Sequence, residues 1–270
     1  MVLQETPRPN LGLPLKHSLA EDILSGNARG WKFGRHFFGA LPSAPRCKLC
    51  AAPFRPPFSP LMRVLGKTPW PKNPSYCSGC YNYLLRHRGG AEVAASLLFA
   101  DVRGSTTLAE SMRPGAFTAL MGRFFELGAR VLATHDAIID KFVGDEIVGI
   151  FITSLAGPRH AARAIDAGRE LLRVMGEREP GLPIGVGVHT GVAYVGTVGE
   201  GTNVDLTAMG DPVNVTARLA SAAGAGELLV TLAAATAAGL SGAGLERRSL
   251  ALKGKSEPTE VLVFGPASAK

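Results

Sequence analysis

The sequence predicts an α/β (α+β) fold preceded by a small, loop-rich segment built around four cysteines. Three observations carry this reading. Short apolar runs such as SLLFAD (96–101) and IVGIFI (147–152), bounded by glycines and charged residues, have the length of buried strands. Runs with helical apolar spacing lie among them. All four cysteines fall in two Cys-x-x-Cys pairs, Cys47/Cys50 and Cys77/Cys80, on either side of a Pro-rich stretch.

The stretch 96–151 organises the rest. Asp101 closes the first apolar run, and Asp145 sits in a Val143-Gly144-Asp145-Glu146 turn between IIDKFV and IVGIF. Two carboxylates brought together at strand ends can hold one or two hard divalent cations, the usual equipment for moving a phosphoryl group.

Taken in order, residues 1–20 are Pro-rich and expected to be irregular. Residues 19–41 suggest short helices interrupted by Gly26, Gly30 and Gly34, with Trp31, Phe33, Phe37 and Phe38 needing a surface to pack on. In the cysteine segment each Cys-x-x-Cys can wrap one side of a tetrahedral ion, and a stretch this small has little core of its own. Structural zinc is the first expectation and an iron–sulfur cluster the second; two redox pairs, or cysteines without a shared role, are the alternative. His87 is read as a solvent-facing residue rather than a ligand. A helix from Tyr81 to Arg88 and a boundary at Gly89-Gly90 follow. The expected organisation is therefore an arm (1–45), a four-cysteine segment (46–90) and a larger domain (91–270).

After Asp101, Arg103-Gly104-Ser105-Thr106-Thr107 reads as a turn into a helix that breaks near Pro114. It resumes with Phe117, Leu120, Met121, Phe124, Phe125, Leu127 and Val131 on one face. Residues 159–176 form a second amphipathic helix with Ala162, Ile165, Leu171, Leu172 and Val174 inward. PIGVGVHTGVAYVGTV (183–198) reads as two strands around a His-Thr-Gly turn, its glycines allowing close approach. His189 there is expected to be a structural, hydrogen-bonded histidine. A loop at 199–205 leads to a helix with Asp211 as N-cap and Pro212 in its first turn. Asn214 and Arg218, four apart, project from the same face of it. ELLVT and VLVFG add strands, and Lys253-Gly254-Lys255 makes a basic turn suited to a polyphosphate.

Length and composition set the class. The 270 residues are 46% hydrophobic and 7% aromatic, as in a soluble α/β protein. The chain opens without a basic-then-apolar leader, and no apolar run approaches the ~20 residues of a membrane helix, so a cytoplasmic protein with no membrane span is expected. The charge is uneven: residues 1–90 hold 13 Lys and Arg against 3 acidic residues, whereas the remainder is net acidic. No nucleic-acid motif accompanies this basic third. A solvated arm, or a docking surface for an acidic regulatory partner, is expected of it.

Five ordered blocks, FADVRGST, DKFVGDE, GVHTGVAYVGTVG, MGDPVNVTARL and LKGKSEP, together resemble the catalytic domain of class III nucleotidyl cyclases over roughly residues 94–265. The resemblance implies a ferredoxin-like sandwich and a homodimer with two composite sites, the aspartates of one copy facing the remaining site residues of the other. It assigns Asp101 and Asp145 to two Mg²⁺ or Mn²⁺ ions, with the Val102 carbonyl as a further ligand. Lys141 and Thr207 take the base-reading positions, Asn214 orients the ribose, Arg218 stabilises charge at the α-phosphate, and Lys253 holds the triphosphate, with Lys255 a neighbouring candidate. Many bacterial adenylyl cyclases carry Thr where Thr207 stands, and guanylyl cyclases usually place Glu where Lys141 stands. A lysine donates to N1 of adenine, which favours ATP. The implied activity is adenylate cyclase: ATP gives 3′,5′-cyclic AMP and pyrophosphate. A guanylate cyclase and a nucleotide-controlled binding module without turnover are the alternatives.

Overall fold

The structure, a computed structural model, describes residues 19–24, 35–41, 45–71, 73–86, 89–200 and 203–265. The expected irregular stretch 1–18, Trp31, Phe33 and His87 lie outside them.

The front segment contains short helices α1 (Leu19–Leu24), α2 (35–39) and α3 (Ser59–Val64), a two-stranded ribbon β1 (Pro69–Trp70) and β2 (Asn73–Cys77), and helix α4 (Ser78–Arg86). Then follow β3 (Gly90–Val102), α5 (Ser105–Ser111), α6 (Pro114–Thr134), β4 (Ile138–Val143), β5 (Glu146–Ile152), α7 (Thr153–Ala156), α8 (His160–Arg178) and β6 (Ile184–Glu200). The chain closes with β7 (Asn203–Met209), α9 (Asp211–Ala222), β8 (Leu228–Thr231), α10 (Leu232–Ala238), β9 (Glu246–Leu250) and β10 (Thr259–Phe264).

The strands form one 8-stranded sheet in the order β4-β5-β3-β6-β8-β10-β9, with β7 paired to β6. The succession β3, α6, β4, β5, α8, β6, with β3 central between β5 and β6, is the ferredoxin-like β-α-β-β-α-β arrangement expected. β3 alternates its side chains between two cores, as the period of two requires. Leu98 and Ala100 face one core with Phe124, Leu132, Ile147, Phe151 and Leu171. Leu97 and Phe99 face the other, which they share with Val148 and Ile150 and also with Ile23, Leu24, Leu49, Met62 and Tyr76 of the front segment. A strand buried on both faces reads as a continuous apolar run, which is why 96–101 stands out.

Helices α5 and α6 break at Pro114 as expected, and α6 buries Met121, Phe124 and Val131, with Phe117, Leu120, Phe125 and Leu127 half-buried at its sides. In α8 the buried face is Ala161, Ala164, Ile165, Ala167, Gly168, Leu171 and Met175; Leu172 and Val174, half-buried, pack against the same core as expected, and Ala162 is the expected residue that lies at its margin.

Other expectations are corrected. Residues 184–200 form one strand, not two around a turn: His189, Thr190 and Gly191 stay extended and pair with Leu97, Ser96 and Ala95. The glycines there serve as a seat for α9. A methyl group on Gly187 would stand 2.5 Å from the Ala220 nitrogen, and one on Gly185 would stand 2.8 Å from the Ala223 oxygen. Gly187→Ala is therefore expected to push α9 off the sheet and cost about 2–3 kcal/mol. Thermal melts check this, and an unchanged melting temperature would contradict the seat. The expected loop 199–205 is mostly strand, because β6 and β7 pair from Tyr194–Met209 out to Glu200–Asn203. Helix α9 begins at Asp211, with Gly210 at the cap position at φ 126°, so Asp211 sits in the first turn and caps nothing. Gly90 belongs to β3, and α4 begins at Ser78, so Cys80 lies inside that helix.

Candidate active site and cysteine cluster

The carboxylates meet where β3 ends. Asp101 is the register partner of Glu146 on β5, and the Val102 N–H donates to the Asp145 carbonyl at 3.2 Å, clipping the turn that carries Asp145 onto β3. Gly144 makes that turn at φ 61°, a conformation glycine adopts without strain. Burial pushes the Asp101 carboxyl above its ordinary range, the Arg103 guanidinium opposes this, and the neighbouring Asp145 carboxylate adds to it. Burial, then the charges of Asp101 and Asp145, raise Glu146 to about 7. Such crowding of oxygen donors suits a hard divalent cation.

Arg103, which the sequence presents only as part of a turn, is the cation facing this cluster. It pairs with Asp101 at 2.5 Å and donates to the Ser221 carbonyl at 2.9 Å and the Ala223 carbonyl at 3.3 Å. Those carbonyls end α9, where the helix dipole favours a positive charge. Arg103 thus ties the carboxylates to the helix bearing Asn214 and Arg218.

On α9, Asn214 is exposed and Arg218 half-buried. The Arg218 guanidinium lies over the Lys253-Gly254-Lys255 turn, since a methyl group built on Gly254 would be 3.5 Å from it. Lys253 is exposed, whereas Lys255 pairs with Asp211 at 2.5 Å. Lys253 is accordingly the freer lysine of the turn. His189 bonds through Nδ1 to the Thr231 hydroxyl at 2.9 Å, and burial lowers it to about 4, so it is a neutral structural histidine as expected.

A third group joins β4 to β7. Thr207, only 6% exposed, donates its hydroxyl to Asp140 at 2.6 Å. Lys141 is the next residue of β4; its side chain lies outside what is described. Sequence reasoning misses Asp140, because no local spacing connects it to Thr207. The predicted residues thus occupy three places: the carboxylates at the end of β3, a corner where Thr207 of β7 meets β4, and the α9 face with the lysine turn.

The cysteines converge as their spacing predicts. All four are buried, unbridged, and within 4.8 Å of one another at sulfur. Cys47 opens a tight turn closed by the Ala51 N–H donating to its carbonyl at 2.8 Å, Cys77 ends β2, and Cys80 lies in the first turn of α4. The Cys50 and Cys77 sulfurs are 3.8 Å apart, which matches the ~3.8 Å edge of a tetrahedron with ~2.3 Å metal–sulfur bonds. The Cys77 N–H donates to the Cys47 sulfur at 3.2 Å, and the Lys67 ammonium approaches the Cys50 sulfur at 3.8 Å. Hydrogen bonds within the group push the Cys47 and Cys80 thiols up and pull Cys50 and Cys77 down. The donor set fits a thiophilic ion.

This segment is anchored to the sheet. Tyr76 donates to the Ala137 carbonyl at 3.4 Å, and Lys48 pairs with Asp136 and donates to the Ala133 carbonyl. Both anchors sit at the entrance to β4. Phe38 packs on the same core and carries Lys67 over its ring, while Phe37 remains exposed. Among the described residues no helix is long and apolar enough to cross a membrane.

Residues 91–264 match the family model of the adenylate and guanylate cyclase catalytic domain. The chain is 37% identical over 130 residues to Adenylate cyclase 1 of Rhizobium meliloti, a match covering 45% of this chain and 20% of that protein. It is 32% identical over 132 residues to an adenylate cyclase of Anabaena cylindrica, covering 46% of this chain and 26% of that one. The match therefore spans only about a quarter or less of the length of these relatives. Among solved structures, the guanylyl cyclase Cya2 superposes with a TM-score of 0.60 at 27% identity, covering 65% of this chain and 93% of the other. The adenylyl cyclase CyaB from P. aeruginosa superposes with a TM-score of 0.58 at 28% identity, covering 65% and 96%.

Proposed function

Because the chain belongs to the adenylate and guanylate cyclase catalytic domain family, we propose that it converts ATP to 3′,5′-cyclic AMP and pyrophosphate at sites completed by a second copy of itself. The observation that supports the ATP reading is the contact between Thr207 and Asp140, which ties β7 to the strand that carries Lys141. The relatives named adenylate cyclases support it.

In the proposed reaction the ribose 3′-hydroxyl gives up its proton to solvent, its oxygen attacks the α-phosphorus, the bond from that phosphorus to the β-bridging oxygen breaks, and pyrophosphate leaves. Asp101, Asp145 and the Val102 carbonyl would hold two Mg²⁺ or Mn²⁺ ions, which when bound supply Lewis acidity at the attacking and leaving oxygens. Asn214 orients the ribose. Arg218, steadied over the Gly254 turn, meets the negative charge that redistributes at the α-phosphate, and Lys253 binds the polyphosphate. That two copies share each site is our assignment from the family resemblance, which divides these residues between them. Zinc is our assignment for the cysteine cluster and the cytoplasm for the protein, and the basic front segment is assigned a regulatory role.

The test is product identification by mass after incubation with ATP or GTP and Mg²⁺ or Mn²⁺. Cyclic AMP is expected from the wild type and none from Asp145→Ala. No cyclic nucleotide from a folded, metal-loaded protein would sink the reading in favour of a nucleotide-controlled binding module. Cyclic GMP as the main product would favour the guanylyl activity named for Cya2, the superposition at TM-score 0.60.

A further inference from the structure

We propose that Asp140 sets the hydrogen-bond polarity of Thr207 and thereby makes the site select a purine with an amino group at C6 over one with a carbonyl there. This rests on the reading of Thr207 as a base-contacting residue.

A threonine hydroxyl has one proton to donate and two lone pairs to offer, and left alone it rotates to suit either kind of partner. Thr207 is not left alone. Its hydroxyl lies 2.6 Å from a carboxylate oxygen of Asp140, and an ionised carboxylate can only accept. The other oxygen near it, the Ala208 carbonyl at 3.4 Å, is also only an acceptor. The proton of Thr207 is therefore committed within the protein, and what remains for a ligand is lone pair. With Thr207 only 6% exposed, water is poorly placed to exchange these roles.

The consequence for a purine is direct. The C6 amino group of adenine donates, and the C6 oxygen of guanine accepts. An acceptor-only hydroxyl pairs with the first and faces the second with unmatched lone pairs. A polar site left unpaired in this way discriminates much more strongly than a change in apolar fit. Asp140 is placed for the role by local backbone geometry as well. The pairing of β4 with β5 loses register between Ile139 and Phe142, an irregularity that brackets residues 140 and 141. Bulges of this kind re-aim side chains away from strict alternation. Asp140 acts through Thr207 and is a positioning residue.

The experiment uses the full chain and three substrates: ATP, GTP and purine riboside triphosphate, which lacks any C6 substituent. Selectivity is read as ratios of kcat/KM, and independently as ratios of affinity from displacement of a fluorescent ATP analogue, so variants without turnover still report. Asp140→Ala frees the Thr207 proton and is expected to lower the ATP-to-GTP ratio by about tenfold. It is also expected to shrink the preference for ATP over purine riboside triphosphate. Thr207→Val should do the same, and the double variant should lose no more than either single one, as expected of residues that act as a unit. If Thr207→Val lowers the ratios and Asp140→Ala leaves them unchanged, the role of Asp140 is overturned while Thr207 keeps its own. If Thr207→Val changes neither ratio, Thr207 does not read the base and the inference falls with it. Equal weakening of all three nucleotides by Asp140→Ala means a purely structural contact and also overturns the proposal.

Discussion

Arg218→Ala is expected to lower kcat by about two to three orders of magnitude while changing the affinity for ATP only severalfold. The reasoning is geometric. Arg218 sits on the α9 face beside Asn214, with its guanidinium over Gly254, where it can meet an α-phosphate held by the Lys253 turn. Charge supplied there matters most when negative charge redistributes in the transition state, and little in the ground state. Single-turnover kinetics with parallel ATP-binding measurements would separate the two, and an equal loss in both would remove Arg218 from this role. The same variant probes the assembly. Asp145→Ala and Arg218→Ala should each be inactive alone. Mixed and allowed to exchange subunits, they should recover about a quarter of wild-type activity, because half the dimers then carry one intact site of two. No recovery in proven heterodimers would rule out the shared site.

Loss of the ion proposed for the cysteine cluster is expected to have the largest effect on stability. Four buried thiols within 4.8 Å form the centre of a segment whose other buried apolar side chains, among the described residues, are chiefly Leu49, Ala52, Met62 and Tyr76. An ion bound there ties together residues 47–80, and structural zinc in small domains contributes on the order of 10 kcal/mol to folding. Cys77→Ser is expected to abolish metal binding, expose the segment to proteolysis and lower stability by at least about 4 kcal/mol. Metal analysis of protein purified under reducing conditions, with denaturant titrations, checks this. Protein that carries no metal, with Cys77→Ser as stable as wild type, would contradict it. The absorption spectrum of the same sample distinguishes colourless zinc from a coloured iron–sulfur cluster.

Much of this site is legible in the sequence, for reasons that lie in particular residues. Asp101 closes an apolar run buried on both faces of the sheet, and such a strand announces itself without long-range information; Asp145 is marked by the Gly-Asp-Glu turn between two apolar runs. The cysteine pairs carry their geometry in their spacing. Strand β6 reads falsely as two strands because its glycines resemble turn residues. Gly185 and Gly187 are small so that α9 can lie against them, and only tertiary packing distinguishes the two uses. Strand β9, ERRSL, gives no signal because it is an edge strand beside β10 whose side chains are largely exposed and follow no apolar period. Arg103 bridging Asp101 to the end of α9, and Asp140 accepting from Thr207, are contacts across more than sixty residues. No local pattern encodes them.

The anchoring of the cysteine segment at Ala133, Asp136 and Ala137 has a consequence in linkage. These residues lead directly into β4, the strand of Asp140 and Lys141, and the segment shares one core with Leu206 and Ala208 on either side of Thr207. If that corner receives the nucleotide as proposed, any free energy by which a bound ion orders it must reappear, equal in size, as tighter retention of the ion once the nucleotide is bound. Ion and nucleotide would then act as mutual effectors, and the cell's supply of one would set the apparent affinity for the other.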